Sequence, residues 1–455
     1  MTGWLDAEAD RSDSAADGWT PAAGRLIAVC MLLLGVAAAW LVLTRPVHRI
    51  EGDFLEREDR LVTDTWLLEQ LRNPVAEIRA RAVLAISRIQ GGDALGLLVE
   101  AMRDSAPSVR ASAAFAVGNV LDSRASGAPV PEYVESVLRA LLVDENRLVG
   151  TRAVAALGKL GRRDTAAELT RTAAPITTTM TALMRMDAAD QADFVAEYLD
   201  SDDQDSRWAA ALAAADLRLA SRPVVSERLR PLLSDANAFV RAAALRAISL
   251  GPSDPGLIAV VRGNLDNSDP KVRYEAAVGL AAFEGSAQSS PLPSGEPVLD
   301  LERLAAPPGS LLEANEYQRV AKMIGARLRM RTALGDFDIE LDYDQAPLTA
   351  EHFRKLALRG ALDSSVFTAV RPNGYAVAVA RLDPIRSELN PKPFLRGSLG
   401  LLRQGEASGG GFFVCLTALP LADGRYVNFG RLVSGDSLMD SIAAGMAVHS
   451  IRQIP

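Results

Sequence analysis

Three patterns of apolar and polar positions follow one another along the chain. Residues 26–44 carry no charge and are mostly apolar. Residues 63–284 repeat an aliphatic residue with an alanine four positions later, which is the spacing of one helix face. Beyond residue 327 apolar and polar residues alternate with the period of two that is typical of strands. The sequence therefore predicts a membrane-spanning helix, a helical array and a β-rich domain, in that order.

The uncharged run over 26–44 has the length of a transmembrane helix. Its 19 residues span about 28 Å at ~1.5 Å per residue, close to the ~30 Å hydrocarbon core of a bilayer. A cleaved signal peptide is the alternative, with the alanines 37–39 as its cleavage site. Because the preceding segment is long and acidic, we favour the anchor and predict an acidic disordered tail over 1–24, a transmembrane helix over 25–45 and a juxtamembrane segment over 46–62.

The repeat over 63–284 is typical of stacked helix pairs. Each unit has an Asp, Asn or Ser, then an aliphatic residue five positions later, usually followed by arginine. Asp and Asn suit the turn where a helix begins, and small alanines let neighbouring helices approach closely. We predict an all-α HEAT-like solenoid whose arginines pair with acids of the adjacent repeat, serving either as a surface for protein partners or as a spacer. The aliphatic position is occupied by Ile78, Val109, Val149, Val240 and Val272 in five units and by the polar Ser206 in one.

A linker and a β-rich domain follow the repeats. Residues 285–327 are rich in Ser, Pro and Gly and contain a short predicted helix. Over 328–341, alternating residues on both sides of a Gly-Asp turn predict a β-hairpin. A helix that starts near Thr349, and further short strands, predict a closed antiparallel β-barrel with two helices over 328–455. The predicted fold class is thus multidomain: a transmembrane helix, an all-α solenoid and a barrel.

Composition excludes several function classes. The net charge of −8 and the pI near 5.2 argue against a nucleic-acid partner. Histidines and cysteines are few and give neither a metal-ligand spacing nor a disulfide framework. We therefore predict no metal and no other cofactor. These residues are His48, His352, His449, Cys30 and Cys415.

Residues 328–455 resemble the cyclophilin-type peptidyl-prolyl isomerases. Three stretches carry the resemblance in the family's order: TALGDFDIELDYDQAPLTAEHFRKLALRGALDSSVF, RGSLGLL and GGGFFVCLTALPLADGRYVNFGRLVSGDSLMDSI. The resemblance implies binding of proline-containing segments and isomerisation of the X–Pro bond, which takes roughly tens to hundreds of seconds without a catalyst. It further implies an apolar pocket for the proline and an arginine that donates a hydrogen bond to the prolyl nitrogen.

The apolar pocket that the resemblance implies is retained in part. The family arginine corresponds to Ala369, and two glutamines that hold the peptide correspond to Ala378 and Gly411. No catalytic residue is therefore assigned. The residues predicted to bind substrate are Phe367, Tyr375, Leu401, Phe413, Leu421 and Tyr426.

A substitute for the missing arginine is predicted from strand geometry. Arg371 lies two residues beyond Ala369, and side chains two apart on a strand share a face. Its alternative interpretation is an arginine exposed at the rim of the site. Arg381 and Arg403 are further, weaker candidates.

Two function hypotheses of different classes remain. One is a membrane-anchored isomerase with weak activity on protein clients, because a preorganised donor contributes ~10²–10³ in rate. The other is a non-catalytic cyclophilin-like scaffold or peptide-binding module. More arginines follow the apolar run than precede it, which favours a cytoplasmic body. Resemblance to exported bacterial isomerases favours an exported body, and that is the location we predict.

Overall fold

The computed structural model describes six stretches of the chain: residues 50–91, 93–122, 130–284, 312–380, 385–404 and 407–455. For residues 403–404 and 407–410 the structure describes the backbone alone. Residues Glu51–Pro455 form one compact unit, so the helices and the sheet described below belong to the same body.

The predicted membrane helix over 26–44 lies outside the described residues, as does the acidic tail over 1–24. The longest helix of the described ranges, Pro107–Asp122, has 16 residues, fewer than the ~20 that a bilayer crossing needs. None of the helices in these ranges is both long and apolar enough to span a membrane. The prediction of a single-pass membrane protein is therefore wrong for the part of the chain that the structure describes.

Short helices form the region between residues 51 and 283. Polar caps start several of them: Asn146, Asp203 and Asn237 each accept a backbone N–H from the first turn. The helices are α1 (Glu51–Arg60), α2 (Thr65–Gln70), α3 (Ala76–Ile89), α4 (Ala94–Ala101), α5 (Pro107–Asp122), α6 (Glu132–Leu141), α7 (Arg147–Leu160), α8 (Ala166–Leu169), α9 (Ile176–Arg185), α10 (Ala192–Leu199), α11 (Gln204–Asp216), α12 (Pro223–Leu232), α13 (Ala238–Ile248), α14 (Pro255–Gly263) and α15 (Pro270–Phe283).

The odd-numbered helices from α3 to α15 pack side by side in one layer. Small residues set their spacing, as the repeat pattern predicts. A Cβ added at Gly158 of α7 would lie 2.7 Å from Ala182 Cα of α9, and one at Gly118 of α5 would lie 3.1 Å from Ala156 Cα. Larger side chains at these positions would force the helices apart.

Repeat arginines join neighbouring helix pairs at their turns. Arg79 donates to both carboxylate oxygens of Asp104, at 2.7 and 2.8 Å, and to the carbonyls of Asn73 and Pro74. The hydrogen bonds from Arg79 lower the pKa of Asp104. The predicted pairing with acids of the adjacent repeat is therefore confirmed for these units. It recurs in Arg110–Asp144 and Arg207–Asp235.

A curled antiparallel sheet follows, flanked by α16 (Glu316–Val320) and α17 (Pro347–Leu358). Its strand order is β3-β4-β7-β6-β8-β2-β1-β9, with β5 paired to β7. The strands are β1 (Arg327–Thr332), β2 (Gly335–Leu341), β3 (Val366–Val370), β4 (Tyr375–Val379), β5 (Ile385–Arg386), β6 (Ser398–Gln404), β7 (Ala407–Cys415), β8 (Val427–Leu432) and β9 (Val448–Ile454).

The predicted closed barrel is wrong, because β3 and β9 are the two ends of the strand order. In the described residues, β3 forms a single isolated β-bridge, from Val366 to Ala447, with the segment that precedes β9. Among these residues, no continuous ladder of paired residues joins β3 to β9. The segment before β9 passes β3 as a turn, in which the Gly445 N–H donates to Phe367 O at 2.8 Å. It becomes a strand only from Val448, where it runs along β1. The sheet is therefore a half-barrel, open between β3 and β9.

Apolar side chains pack on both faces of the sheet. The inner cluster lies between the sheet and α17, where Phe353 is 5.3 Å from Phe412 and 4.9 Å from Phe429 between ring centroids. The outer cluster contains Phe413. Phe412 and Phe413 point to opposite faces because neighbouring residues alternate along a strand.

Candidate functional site

The outer cluster is built from β4, β6 and β7. Tyr375 and Val377 of β4 face outward, as do Phe413 and Cys415 of β7, and Val377 lies opposite Phe413 in the antiparallel register. Loops on either side and β6 contribute the remaining buried members. These are Phe394, Leu402, Leu419, Ala422 and Tyr426.

Phe413 lies at the centre of the outer cluster. Its ring centroid is 5.4 Å from those of Phe394 and Tyr426 and 6.4 Å from that of Tyr375. Gly400 leaves the space that the ring fills, because a Cβ at residue 400 would lie 2.0 Å from Phe413 Cζ. Phe413 is 0% exposed. The protein's own rings therefore surround the apolar surface at this position.

The structure brings together four of the predicted pocket residues. Tyr375, Phe413 and Tyr426 are ring neighbours in the outer cluster. Leu421 is buried in the loop before β8, and it lines one small cavity together with Tyr375. Tyr375, Phe413 and Tyr426 thus pack together on the outer face of the sheet, and Leu421 lines the cavity beside Tyr375.

The structure places two predicted pocket residues elsewhere. Phe367 and Leu401 belong to the inner cluster, on the opposite face of the sheet. Sequence reasoning missed six buried residues of the outer cluster: Val377, Phe394, Leu402, Cys415, Leu419 and Ala422. Alternation along the strands would have found Val377 and Leu402. No local signal marks Phe394, which lies in an irregular segment.

Position 369, where the resemblance puts an arginine, holds a half-buried alanine packed against the outer cluster. Arg371 Cζ lies 5.6 Å from the centroid of the Tyr375 ring. The Arg371 backbone N–H donates to Tyr375 O at 2.8 Å. This guanidinium therefore lies beside the ring of Tyr375. Arg381 and the side chain of Arg403 lie outside the described residues.

Neither of the two positions that the resemblance assigns to glutamine presents a polar side chain. Ala378 is fully buried in the inner cluster, whereas its neighbour Val379 is 37% exposed. Gly411 has a φ of +150°, and a Cβ there would lie 2.4 Å from Ala378 O. This close approach of the backbone favours glycine at position 411.

Helices α11 and α13 cover the edge of the outer cluster. A cavity of about 30 Å³ lies between them and the sheet. Trp208 and Leu212 of α11 line one side with Arg246 of α13, and Tyr375 and Leu421 line the other. The helical region and the outer cluster are thus in direct apposition.

Polar contacts fasten the sheet's loops to the helices. Asn373 Nδ2 donates to Glu275 Oε1 of α15 at 3.3 Å. Burial raises the pKa of Glu275. Arg425 donates to both carboxylate oxygens of Asp122 of α5, at 2.9 and 3.1 Å. The helices thereby hold both the loop after β3 and the loop before β8.

A buried carboxyl group connects the helical region to the start of α17. Glu388 accepts hydrogen bonds from Leu348 N at 3.1 Å, Thr349 N at 2.6 Å and Thr349 Oγ1 at 2.7 Å. Arg88 of α3 lies 3.9 Å from this carboxyl and donates to Gln345 O at 2.9 Å. Burial raises the pKa of Glu388 to about 7, although Arg88 and the hydrogen bonds favour the charged form.

The outer cluster offers apolar contact and not acid–base chemistry. The Cys415 thiol is completely buried, and burial raises its pKa well above the usual range. A protonated thiol is a poor nucleophile. The chemistry that this surface supports is packing of an apolar ring, such as that of proline, against aromatic faces.

Comparisons with known proteins identify the β-rich domain. A family model described as cyclophilin type peptidyl-prolyl cis-trans isomerase/CLD matches residues 327–453. A peptidyl-prolyl cis-trans isomerase of Helicobacter pylori is 30% identical over 135 residues, covering 27% of this chain and 83% of that relative. The peptidyl-prolyl cis-trans isomerase-like 1 protein of Emericella nidulans is 32% identical over 120 residues, covering 23% and 73% respectively. The chain therefore belongs to the cyclophilin-type peptidyl-prolyl cis-trans isomerase family.

Two solved structures are also similar. A cyclophilin type peptidyl-prolyl cis-trans isomerase of Cryptosporidium parvum matches with a TM-score of 0.26 and 19% identity, over 29% of this chain and 99% of that one. The complex of CpcE and CpcF of phycocyanin lyase from a Nostoc species matches with a TM-score of 0.32 and 19% identity, over 50% and 89%.

Proposed function

We propose that this protein is a cyclophilin-type isomerase with weak activity, because its proline-binding face lacks the catalytic donor and is covered by the chain's own side chains. The burial of Phe413 carries the proposal. This ring is 0% exposed and has Phe394, Tyr375 and Tyr426 as neighbours. A substrate proline could reach it only after these neighbours move.

The residue at position 369 supports the same conclusion. Rotation about an amide bond is slow because conjugation gives the C–N bond partial double-bond character. A hydrogen bond to the prolyl nitrogen would weaken that conjugation, and Ala369 has no donor to supply it. Loss of such a preorganised donor typically costs ~10²–10³ in rate. Arg371, the substitute predicted from strand geometry, lies beside Tyr375.

The test is the rate of X–Pro isomerisation in an Ala-Pro peptide, measured with the full chain. We expect wild type to accelerate it weakly, and Arg371→Ala to leave that rate unchanged. Arg359→Ala, at an exposed arginine of the same domain, is the matched control. Ala369→Arg is expected to remain slow, because the covered ring still excludes the peptide. Fast turnover by wild type that is lost only in Arg371→Ala would overturn the proposal.

The non-catalytic scaffold is the second candidate, and the fastening of the sheet's loops to the helices favours it. The Arg425–Asp122 and Asn373–Glu275 contacts hold the family domain in a fixed position on the helical region. The same peptide assay separates the two functions. Weak acceleration that Phe413→Ala abolishes supports an isomerase, whereas a rate equal to the uncatalysed one supports the scaffold.

We also propose that the helical region over 63–284 is HEAT-like and binds protein partners, while the family domain binds proline-containing segments. The regular Arg–Asp pairs between successive units support the repeat assignment. Substituting exposed residues of the even-numbered helices should weaken partner binding without changing the isomerisation rate. Unchanged partner binding in such variants would count against this role.

A further inference from the structure

A second and larger cavity lies between α7, α9 and the loop before β8. Its volume is about 110 Å³. The polar part of its lining consists of cationic and hydroxyl side chains with a single carboxyl group. The polar side chains of the lining are Arg152, Lys159, Arg185, Thr151, Thr177, Thr178, Thr181 and Asp423.

The Arg152 guanidinium has few hydrogen-bond acceptors among the described residues. Its Nη2 donates to Pro391 O at 3.2 Å, and none of the carboxylates in the described residues lies within 4.0 Å of the guanidinium. A guanidinium carries five N–H donors. Its Cζ lies 5.6 Å from the centroid of the Phe115 ring, and burial lowers its pKa. Arg152 is half-buried, and arginines removed from water are normally paired, so this arrangement leaves hydrogen-bonding capacity for a ligand.

Lys159 brings a second cation to the same place. Its Nζ lies 5.7 Å from the centroid of the Phe115 ring, so it and Arg152 share one aromatic neighbour. It donates to Gly424 O at 3.0 Å and to Asn119 Oδ1. Burial lowers the pKa of Lys159 well below its usual range, and the charge of Arg185 adds to that effect. An anion in the cavity would stabilise the charged forms of both Arg152 and Lys159.

The acids near the cavity are already engaged. Asp423 accepts a hydrogen bond from Phe394 N at 2.7 Å, and burial raises its pKa to about 6 although the charges of Arg185, Lys159 and Arg152 favour its ionised form. Asp122 forms the ion pair with Arg425 described above. The cavity therefore holds more positive than negative charge.

We propose that this cavity binds a small oxyanion, the chemical class that a phosphate group or a carboxylate supplies. Guanidinium and ammonium groups together with hydroxyls are the donors that such anions take. Arg152 and Lys159 supply the charge, and Thr178 adds a hydroxyl group to the lining. Because the lining includes residues of α7 and of the loop at Gly424, the bound anion contacts both the helical region and the family domain.

The experiment titrates the full chain with inorganic phosphate, and separately with citrate, by calorimetry at constant ionic strength. We expect saturable binding of one or both anions. Phosphate alone identifies a phosphate-type site, and citrate alone identifies a carboxylate site. Arg152→Gln should weaken the affinity roughly tenfold, because one charge-assisted hydrogen-bonding group is lost. Arg228→Gln, at an exposed ion pair of α12, should leave it unchanged.

The proposal is overturned if neither anion binds saturably, or if Arg152→Gln binds as tightly as wild type. Should Arg152→Gln fail to fold, the melting temperature of wild type in the presence of each anion tests the proposal instead. The expected result is a melting temperature that rises with phosphate or citrate and not with chloride of equal ionic strength. Equal melting temperatures in all three salts would contradict the site.

Discussion

The Phe413 ring occupies the space where Gly400 lacks a side chain, since a Cβ at residue 400 would lie 2.0 Å from Phe413 Cζ. The two residues lie opposite each other on β6 and β7. This pairing draws the ring into the sheet surface, where Phe394 packs against it at 5.4 Å. The depth of the apolar surface is therefore set by a glycine on the neighbouring strand.

Substitution of Gly400 should displace this ring. Gly400→Ala is expected to lower the free energy of unfolding by about 1–3 kcal/mol, the usual cost of overpacking. Gly263→Ala is the matched control, because no atom lies within 4 Å of a Cβ there. The control should be neutral or slightly stabilising, since alanine favours helix over glycine. Urea unfolding measures both, and equal stabilities would show that the ring does not need this space.

The Arg–Asp pairs between repeats should contribute measurably to stability. Arg110 donates to both carboxylate oxygens of Asp144 and to two carbonyls of the preceding turn, with 14% of its side chain exposed. Arg110→Met should cost about 1–3 kcal/mol in urea unfolding, because buried acceptors lose their donor. Arg228→Met, at the exposed pair with Asp200, should cost less than about 1 kcal/mol. Equal costs for the two variants would contradict a structural role of the ladder.

Glu388 should make stability depend on pH near neutrality. Its folded pKa of about 7 lies above the ordinary value of 4.5, so the folded chain binds more protons than the unfolded chain between these values. Its contribution is therefore full below about pH 4.5 and is lost as pH rises through 7. Glu388→Gln should flatten the decline in the free energy of unfolding between pH 5 and 8, by at most ~1.4 kcal/mol per pH unit.

Glu351 provides the contrasting control. Burial opposes its ionisation, but the hydrogen bonds from Arg354 and Arg319 outweigh burial and bring its pKa to about 2. Its contribution is therefore present above pH 4.5 and is lost as pH falls. Glu351→Gln should change the pH dependence in acid and leave the range from pH 5 to 8 unaffected. An unchanged slope in Glu388→Gln over that range would contradict the assignment.

The sequence predicts local features of the fold better than long-range ones. The spacing of Arg79 and Asp104 predicts their ion pair, because a repeat places equivalent residues at equivalent turns. Strand alternation predicts a sheet with apolar residues on alternate positions. It cannot predict closure, because the relation of β3 to β9 depends on the path of the turn near Gly445. A closed barrel was the wrong conclusion for that reason.

The candidate site is predictable only in part for the same physical reason. The family resemblance leads to Tyr375, Phe413 and Tyr426, which meet in the outer cluster. Residues far away in sequence, such as Trp208, line the cavity beside Tyr375, and no local pattern encodes that approach. The oxyanion cavity is likewise formed by segments that only the docked arrangement brings together.

Binding of a proline peptide tests most directly whether the outer cluster is closed in the intact chain. Calorimetric titration of an Ala-Pro peptide into wild type should give only weak binding, with a Kd above roughly 1 mM. Trp208→Ala should allow binding by opening the cavity beside Tyr375, and adding Phe413→Ala should abolish it. Micromolar binding by wild type that is lost in Phe413→Ala would show that the face is already open, and would contradict the account.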